Sequence, residues 1–369
     1  MRVLFACGGS GGHITPAVAM AEILQKKFED TECAFVGNEN GMERRIAKDA
    51  GYDFYPIKIE GLHRSLSLNN FRTLYLAAKA PARVKEILKE FKPSLVIGTG
   101  GYVSYPVIPT AKRLGIPTVL YEPNAIPGLS VRLTEKHADR ILLQFDACAA
   151  HLKHREKARV IGAPLRAGFA CATRSDARAR LGLPKSAFIV LCFGGSLGAE
   201  CISKAATESF APLKAQGVTL IHATGKRLFD DLRANYPKEA EEKRLLPYID
   251  DMPAYMAAAN VVVCRAGAIT LAELSRIGRA SVLIPSPYVA ENHQEKNAQL
   301  YEKKGGALMM KENALCAESL TERILFLKHN PPLLSRMERN AAAIGSKNTE
   351  DIFLTALNSI LPSVKCSKN

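Results

Sequence analysis

The stretch ACGGSGGHITPAVAMAEIL, residues 6–24, decides how the chain is read. A short apolar strand, Met1–Cys7, runs into the loop GGSGGH and then into an apolar helix. Thr15 and Pro16 suit an N-cap and a first helical position, which predicts helix from there onward. Gly8, Gly9, Gly11 and Gly12 let backbone amides approach a ligand closely at a helix start, where amides and dipole favour an anion. No Gly-Lys-Ser/Thr follows, so this is not a Walker A loop, and the glycines do not match G-x-G-x-x-G. The loop ends instead in His13, where a positive helix terminus favours the neutral imidazole, a base.

The same opening returns at FIVLCFGGSLGAE, 188–200, again strand, glycine loop and helix start. Further strand-then-helix units follow the two openings: SLVIGTGG (94–101), TVLYEPN (118–124), NVVVCRAGAITLAEL (260–274) and ASVLIPSP (280–287). Such continuous apolar runs are those of parallel strands buried on both faces. The expectation is an α/β protein of two Rossmann-like, doubly wound domains facing across a cleft. Gly and Pro in GAPLR, 162–166, mark the boundary, giving domains 1–162 and 163–347. A helix over 348–361, apolar at Ile352, Phe353, Ala356, Leu357 and Ile360, is left to pack on either one. Residues 93–111 carry no charge, but their prolines and glycines predict a strand plus loops, not a membrane span.

Lys and Arg number 50 against 36 Asp and Glu, a formal net charge of +14, so an anionic partner is expected: nucleic acid, phosphorylated substrate or acidic lipid. Aromatic residues make up only 7%, there is no Trp, and the basic residues are spread along the chain, which argues against nucleic acid. Nine cysteines without CxxC pairs read as reduced cytoplasmic thiols. Cys148, His151 and His154 have metal-like spacing but no fourth ligand nearby, so no metal is assigned. The N-terminal apolar run is too short for a signal peptide.

GTGGYVSYP, 98–106, is a second glycine loop in the first half, with Tyr102 and Ser104 as hydroxyl donors to another phosphate. Glu122 ends a strand at the level where ligands of such sheets sit, or else caps the turn that follows. In the second half Ser196 and the surrounding amides face a phosphate, and Ala268, Ile269 and Thr270 lie at a strand-to-helix junction. Glu273, one turn further, can accept from vicinal ribose hydroxyls, while His293, Gln294 and Asn297 can bind sugar hydroxyls.

Taken together these motifs resemble the MurG family over roughly Arg2 to Leu361: GGSGGH, GTGGYVS, the E-x-N of YEPNAIPGLS, GGS-x-GA, IDDM, CRAGAIT-x-x-E and HQ-x-x-NA occur in the same order. The resemblance implies a GT-B fold and an inverting transfer of N-acetylglucosamine from UDP-N-acetylglucosamine to lipid I, with no cofactor or obligatory metal. It implies that the Ile249 backbone reads uracil and Glu273 the ribose. Ser196 and Arg166, with Ala268 to Thr270, would meet the donor phosphates; His293, Gln294, Asn297 and Asn124 would line the sugar site. Ser10, Gly11, Gly12, Thr99, Gly100, Gly101 and Tyr102 would face the acceptor pyrophosphate, with His13 as general base and Glu122 sharing that work. Leu197, Pro123 and Ala163 depart from the family's Gln, Gln and Asn.

The resemblance also implies a peripheral protein on the cytoplasmic face of the cell membrane. Leu66, Leu68, Phe71, Leu74 and Tyr75 with Arg64, Arg72, Lys79 and Arg83 offer a patch for an anionic surface, although a helix packed on its own core gives the same pattern. Rival readings are a lipid glycosyltransferase with another acceptor, a UDP-sugar 2-epimerase, a UDP-sugar sensor without activity and, most distantly, an NAD oxidoreductase.

Overall fold

Thirteen strands, all paired in parallel, carry the architecture of the computed structural model, which describes residues 1–61, 69–165, 167–169, 173–195, 198–233, 245–346 and 348–361. The chain forms two compact units, Met1–Leu165 with Asn348–Asn369, and Arg166–Lys347.

The first unit holds strands β1 (Arg2–Ala6), β2 (Glu32–Asn38), β3 (Asp53–Ile57), β4 (Leu95–Gly98), β5 (Thr118–Glu122), β6 (Arg140–Leu143) and β7 (Ala158–Val160), in the order β3-β2-β1-β4-β5-β6-β7. Its helices are α1 (Gly11–Lys27), α2 (Met42–Asp49), α3 (Asn69–Phe91), α4 (Ser104–Arg113), α5 (Leu129–Thr134) and, from the far end of the chain, α15 (Thr349–Asn358). The second unit holds β8 (Phe188–Phe193), β9 (Val218–Ala223), β10 (Leu245–Leu246), β11 (Val261–Cys264), β12 (Ala280–Leu283) and β13 (Ala307–Met309), in the order β10-β9-β8-β11-β12-β13. Its helices are α6 (Arg174–Arg180), α7 (Glu200–Glu208), α8 (Phe210–Ala215), α9 (Phe229–Arg233), α10 (Met252–Ala258), α11 (Ala268–Ile277), α12 (His293–Lys303), α13 (Ala317–Lys328) and α14 (Pro331–Ile344).

Alternation along β1 shows why its strand is apolar throughout. Val3 and Phe5 pack on one face with Ile14, Val18 and Met20 of α1, while Leu4 and Ala6 pack on the other with Val84 of α3 and Val107 of α4. Phe353 and Leu357 of α15 enter the first of these clusters, so the last helix belongs to the unit that contains the first strand. In the second unit Val190 and Cys192 of β8 share a core with Ile202 of α7 and Ile324 of α13.

Two local expectations are corrected. Helix α1 begins at Gly11, not at Thr15, and carries Pro16 inside it. Its buried face, Ile14, Ala17, Val18, Met20, Ala21 and Leu24, outweighs the amide bond that Pro16 cannot make. Residues 104–111, within the stretch expected as strand plus loops, belong instead to α4, which carries Pro109 inside it. Pro106 lies in its first turn, where a missing N–H costs little, and the Thr110 hydroxyl donates to the Pro106 carbonyl at 2.7 Å.

On β9, burial of His222 lowers its pKa to about 4 from 6.5. As pH falls, the unfolded chain takes up this proton first, so the stability associated with the neutral ring is full above about 6.5 and is lost towards about 4. We expect urea unfolding of wild type to lose up to about 3 kcal/mol more than His222→Gln across that window. Parallel losses in the two proteins would contradict the burial account.

Candidate active site

In each sheet the strand order reverses beside the first strand of its unit, between β1 and β4 and between β8 and β11. Ligands of doubly wound sheets bind beyond the carboxyl ends of the strands at such a switch point. The four glycine-rich loops follow those four strands.

In the first unit the two loops touch. Gly101 has φ +74°, and a Cβ there would lie 2.1 Å from the Gly8 carbonyl oxygen. Ser104 ties the second loop to β1: its hydroxyl accepts from the Gly100 amide at 3.2 Å and lies 3.3 Å from the Ala6 carbonyl. His13 bridges the loops in both directions. Its Nδ1 lies 2.9 Å from the Thr99 carbonyl oxygen, and the Thr99 hydroxyl donates to the His13 carbonyl at 2.6 Å. A carbonyl can only accept, so Nδ1 carries the proton and, in the neutral ring, Nε2 is the basic nitrogen. Gly100 permits this approach, because at φ +101° its Cβ would fall 2.5 Å from His13 Nδ1.

Gly11 is a different case. It opens α1 without a positive φ, and a Cβ there would meet nothing within 4 Å. The fold does not need glycine at this position, so its bareness keeps the helix N-terminal amides open to an approaching anion. Ser10, at the N-cap, makes no side-chain cap bond and is exposed.

Tyr102 is partly buried, lies against Gly9 and bonds to Asn38; desolvation, the larger effect, raises its phenol above the usual range. The Asn38 amide in turn donates to Glu43 at 2.9 Å. Glu43 is fully buried, with Oε1 only 2.8 Å from where a Gly8 Cβ would be. Sequence reasoning missed this carboxylate, since MERRIAKD reads as a solvated charged helix. Gly37, Gly8 and Gly41 around it were the available signal: a Cβ at any of them would come within 3.0 Å of its side chain.

Glu122 does not have the setting of a base. It is 2% exposed, Oε1 accepts from the Asn124 amide and side chain, both at 2.9 Å, and Oε2 accepts from the Gly128 amide at 2.8 Å. The carboxylate holds the turn 123–128 and Asn124, as the cap reading expects.

In the second unit Gly195 has φ +100°, and Gly198 lies so close to the Thr224 carbonyl that a Cβ would sit 2.2 Å away. Ser196 and Leu197 between them, and Arg166, lie outside the described residues. Gly267, Ala268, Ile269 and Thr270 form the N-cap and first turn of α11, with Glu273 partly buried one turn on. Glu273 lies near enough to the end of β11 to help raise the Cys264 thiol, after burial as the main cause. The Arg265 guanidinium donates to the Ile284 carbonyl at 3.2 Å and pairs with Glu312 at 2.6 Å, bracing the loop before α11. Ile249 is buried between β10 and α10, as a residue acting through its backbone can be.

Two consecutive residues in the left-handed region, Glu291 and Asn292, both at φ 53°, lead into α12. Such strain at non-glycine residues persists where surroundings enforce it, and here it aims His293 and Gln294 at the start of the helix. Gln294 Oε1 accepts from the Ser286 amide at 2.9 Å. Asn297, expected to touch sugar, is 1% exposed in α12 and donates to the Ala266 carbonyl at 3.4 Å. Cys148, from the metal-like triplet, is buried with its thiol pushed up, and His154 faces Glu156 at 3.3 Å.

Two parallel α/β sheets with glycine-rich loops at both switch points define a two-domain protein of the build that binds nucleotide-linked ligands. The glycosyltransferase family 28 N-terminal domain matches residues 3–143 and its C-terminal domain residues 189–352. The UDP-N-acetylglucosamine--N-acetylmuramyl-(pentapeptide) pyrophosphoryl-undecaprenol N-acetylglucosamine transferase of Acetivibrio thermocellus is 40% identical over 96% of this chain and 96% of its own length. The enzyme of that name from Exiguobacterium is 42% identical over 88% of this chain and 90% of its own length. The crystal structure of Acinetobacter baumannii MurG superposes with a TM-score of 0.75 at 26% identity, covering 97% of this chain and 99% of that one. The chain belongs to the MurG family of glycosyltransferases.

The two glycines make opposite predictions. Gly100→Ala, forced into the His13 ring at a positive φ, should lose most turnover. Gly11→Ala should leave thermal stability unchanged or raised by under about 1 kcal/mol, yet raise KM for the acceptor. A Gly11→Ala variant with wild-type KM would remove the case for an anion at α1.

Proposed function

We propose that the chain transfers N-acetylglucosamine from UDP-N-acetylglucosamine to the 4-hydroxyl of the muramyl sugar of lipid I, with inversion, forming lipid II. The observation that carries the reading is the His13–Thr99 pair at the mouth of an anion-ready loop: a loop that only grips phosphate has no need of an oriented imidazole. His13 Nε2 takes the proton of the acceptor hydroxyl as its oxygen attacks the anomeric carbon on the face opposite UDP. The bond from that carbon to the phosphate oxygen breaks, and UDP leaves with the electron pair. Amides at the start of α11 and at Gly195 stabilise the developing phosphate charge, and Arg166 and Ser196 are assigned to the same task. Ile249 reads the base through its backbone, Glu273 accepts from the ribose hydroxyls, and His293, Gln294 and Asn124 hold the sugar. Proton removal by a placed base contributes about 10²–10⁴-fold.

The seat of the reaction is the cytoplasmic face of the membrane. No helix among the described residues is long and apolar enough to cross a bilayer. The outer turns of α3 expose Phe71 (73%), Leu74 and Tyr75, with Lys79 against the Tyr75 ring at 4.5 Å, Arg72 paired with Glu60 at 3.1 Å and Arg83 with Glu86 at 3.0 Å, while Ala80, Val84, Ile87 and Leu88 are buried. An apolar tip with Lys79 beside it suits an anionic leaflet, where each unpaired basic residue adds about 1 kcal/mol. Leu66, Leu68 and Arg64, the rest of the expected patch, lie outside the described residues. Phe71→Ser with Tyr75→Ser should cut sedimentation with anionic vesicles; undiminished sedimentation would remove α3 as the contact.

The reaction is tested by UDP release from UDP-N-acetylglucosamine with and without a lipid I analogue. We expect acceptor-dependent release that falls about 10²-fold or more in His13→Ala, with donor KM little changed. Glu273→Gln should instead raise donor KM. Release independent of acceptor, or turnover intact in His13→Ala, would overturn the mechanism.

A further inference from the structure

Helix α10 follows Ile249 and is seven residues long, too short to hold itself by its own hydrogen bonds. Its N-terminus is held by Asp251, which caps the Ala254 amide at 3.3 Å and pairs with Arg180 of α6. Its C-terminal carbonyls are the difficulty. Met256, Ala257, Ala258 and Ala259 are fully buried, so water cannot satisfy the acceptors that every helix end leaves over.

Three arginines take them. Arg279 donates to the Met256 carbonyl at 3.2 Å and to the Ala257 carbonyl at 2.8 Å. Arg178 donates to the Ala258 carbonyl at 2.9 Å and to Asn260 Oδ1 at 2.7 Å, and Arg174 donates to the Ala259 carbonyl at 3.3 Å. Glu338 answers this charge, pairing with Arg174 and lying 3.6 Å from Arg279. Burial lowers the Arg279 pKa to about 10, still charged near neutrality; Arg174 adds to the shift, against Glu338.

Arg279 differs from the other two in where its backbone is fixed. It follows Gly278, the left-handed cap of α11, and its own amide donates to the Leu274 carbonyl at 3.0 Å. Its main chain is therefore part of the end of α11, the helix that carries Glu273, while its side chain grips the end of α10. We propose that Arg279 is a positioning residue for the donor nucleotide: it fixes α10, and with it the base-reading segment at Ile249, relative to Glu273. This rests on the donor assignment above. The planar fork matters, because one guanidinium reaches two successive carbonyls with set geometry, whereas an ammonium is a point donor.

The test compares Arg279→Gln, Arg279→Lys and Glu273→Gln in the full chain, reading kcat, KM for UDP-N-acetylglucosamine, KM for a lipid I analogue, the ratio of inhibition by UDP and CDP, and thermal midpoint. Arg279→Gln should raise donor KM about tenfold with kcat within about twofold and acceptor KM unchanged. The preference for UDP over CDP should narrow, because the base reader has moved. Arg279→Lys, which keeps the charge and one bond, should fall between, and it carries the test if the Gln variant does not fold. A lower thermal midpoint with native donor KM and native UDP preference in the Lys variant would overturn the proposal. Native donor KM in Glu273→Gln would overturn the donor assignment itself, whereas a raised KM there with native kinetics at Arg279→Lys rejects only the role of Arg279.

Discussion

A hydrogen bond of 2.9 Å from an imidazole to a backbone carbonyl organises the first unit. It joins His13, one loop beyond β1, to Thr99, one loop beyond β4, and the Thr99 hydroxyl returns a second bond at 2.6 Å. The carbonyl acceptor fixes the tautomer, and the tautomer decides which nitrogen is basic. Everything nearby serves that approach: Gly100 leaves room for the ring, Gly101 lets the second loop pass against Gly8, and Ser104 pins the turn to β1. The chemistry of base-assisted transfer thus rests on which strands neighbour each other in the sheet.

The second unit repeats the topology for another purpose. Its glycine loops also flank a switch point, but the carboxylate Glu273 stands on α11, which follows β11, whereas the imidazole of His13 stands on α1, which follows β1. A leaving nucleoside diphosphate needs amides for its charge and an acceptor for its ribose, while an acceptor alcohol needs a base. The two needs are assigned to different strands of the shared topology, β11 and β1. The arginines behind α10 show how far the supporting structure reaches: a buried helix end with four carbonyls to satisfy is tied to the end of α11.

The parallel sheets and their order of use were legible in the sequence because buried parallel strands are apolar without interruption and glycine loops mark their carboxyl ends. The start of α1 was not, since Thr15 and Pro16 look like a cap, and only tertiary burial of Ile14 and its neighbours carries the helix back to Gly11. Residues 104–111 failed for a similar reason: proline content argued for loop, while the packed face of Val107, Ile108 and Ala111 made a helix. His13, Glu273 and the junction 268–270 stand out as candidates from local pattern. Glu122 was legible only as a choice between a ligand group and a turn cap, and Glu43 could not be read at all, because their partners come from the fold at distances no spacing rule records. Arg279 looked like one more basic residue on a basic chain.

The most direct measurement is the tautomer of His13, read from the imidazole nitrogen-15 shifts of histidine-labelled protein, with His13→Gln assigning the signal. The account predicts a neutral ring protonated on Nδ1 with the lone pair on Nε2, and loss of that preference in Gly100→Ala. A neutral ring protonated on Nε2 would contradict it, since the nitrogen facing the Thr99 carbonyl would then hold no proton to give.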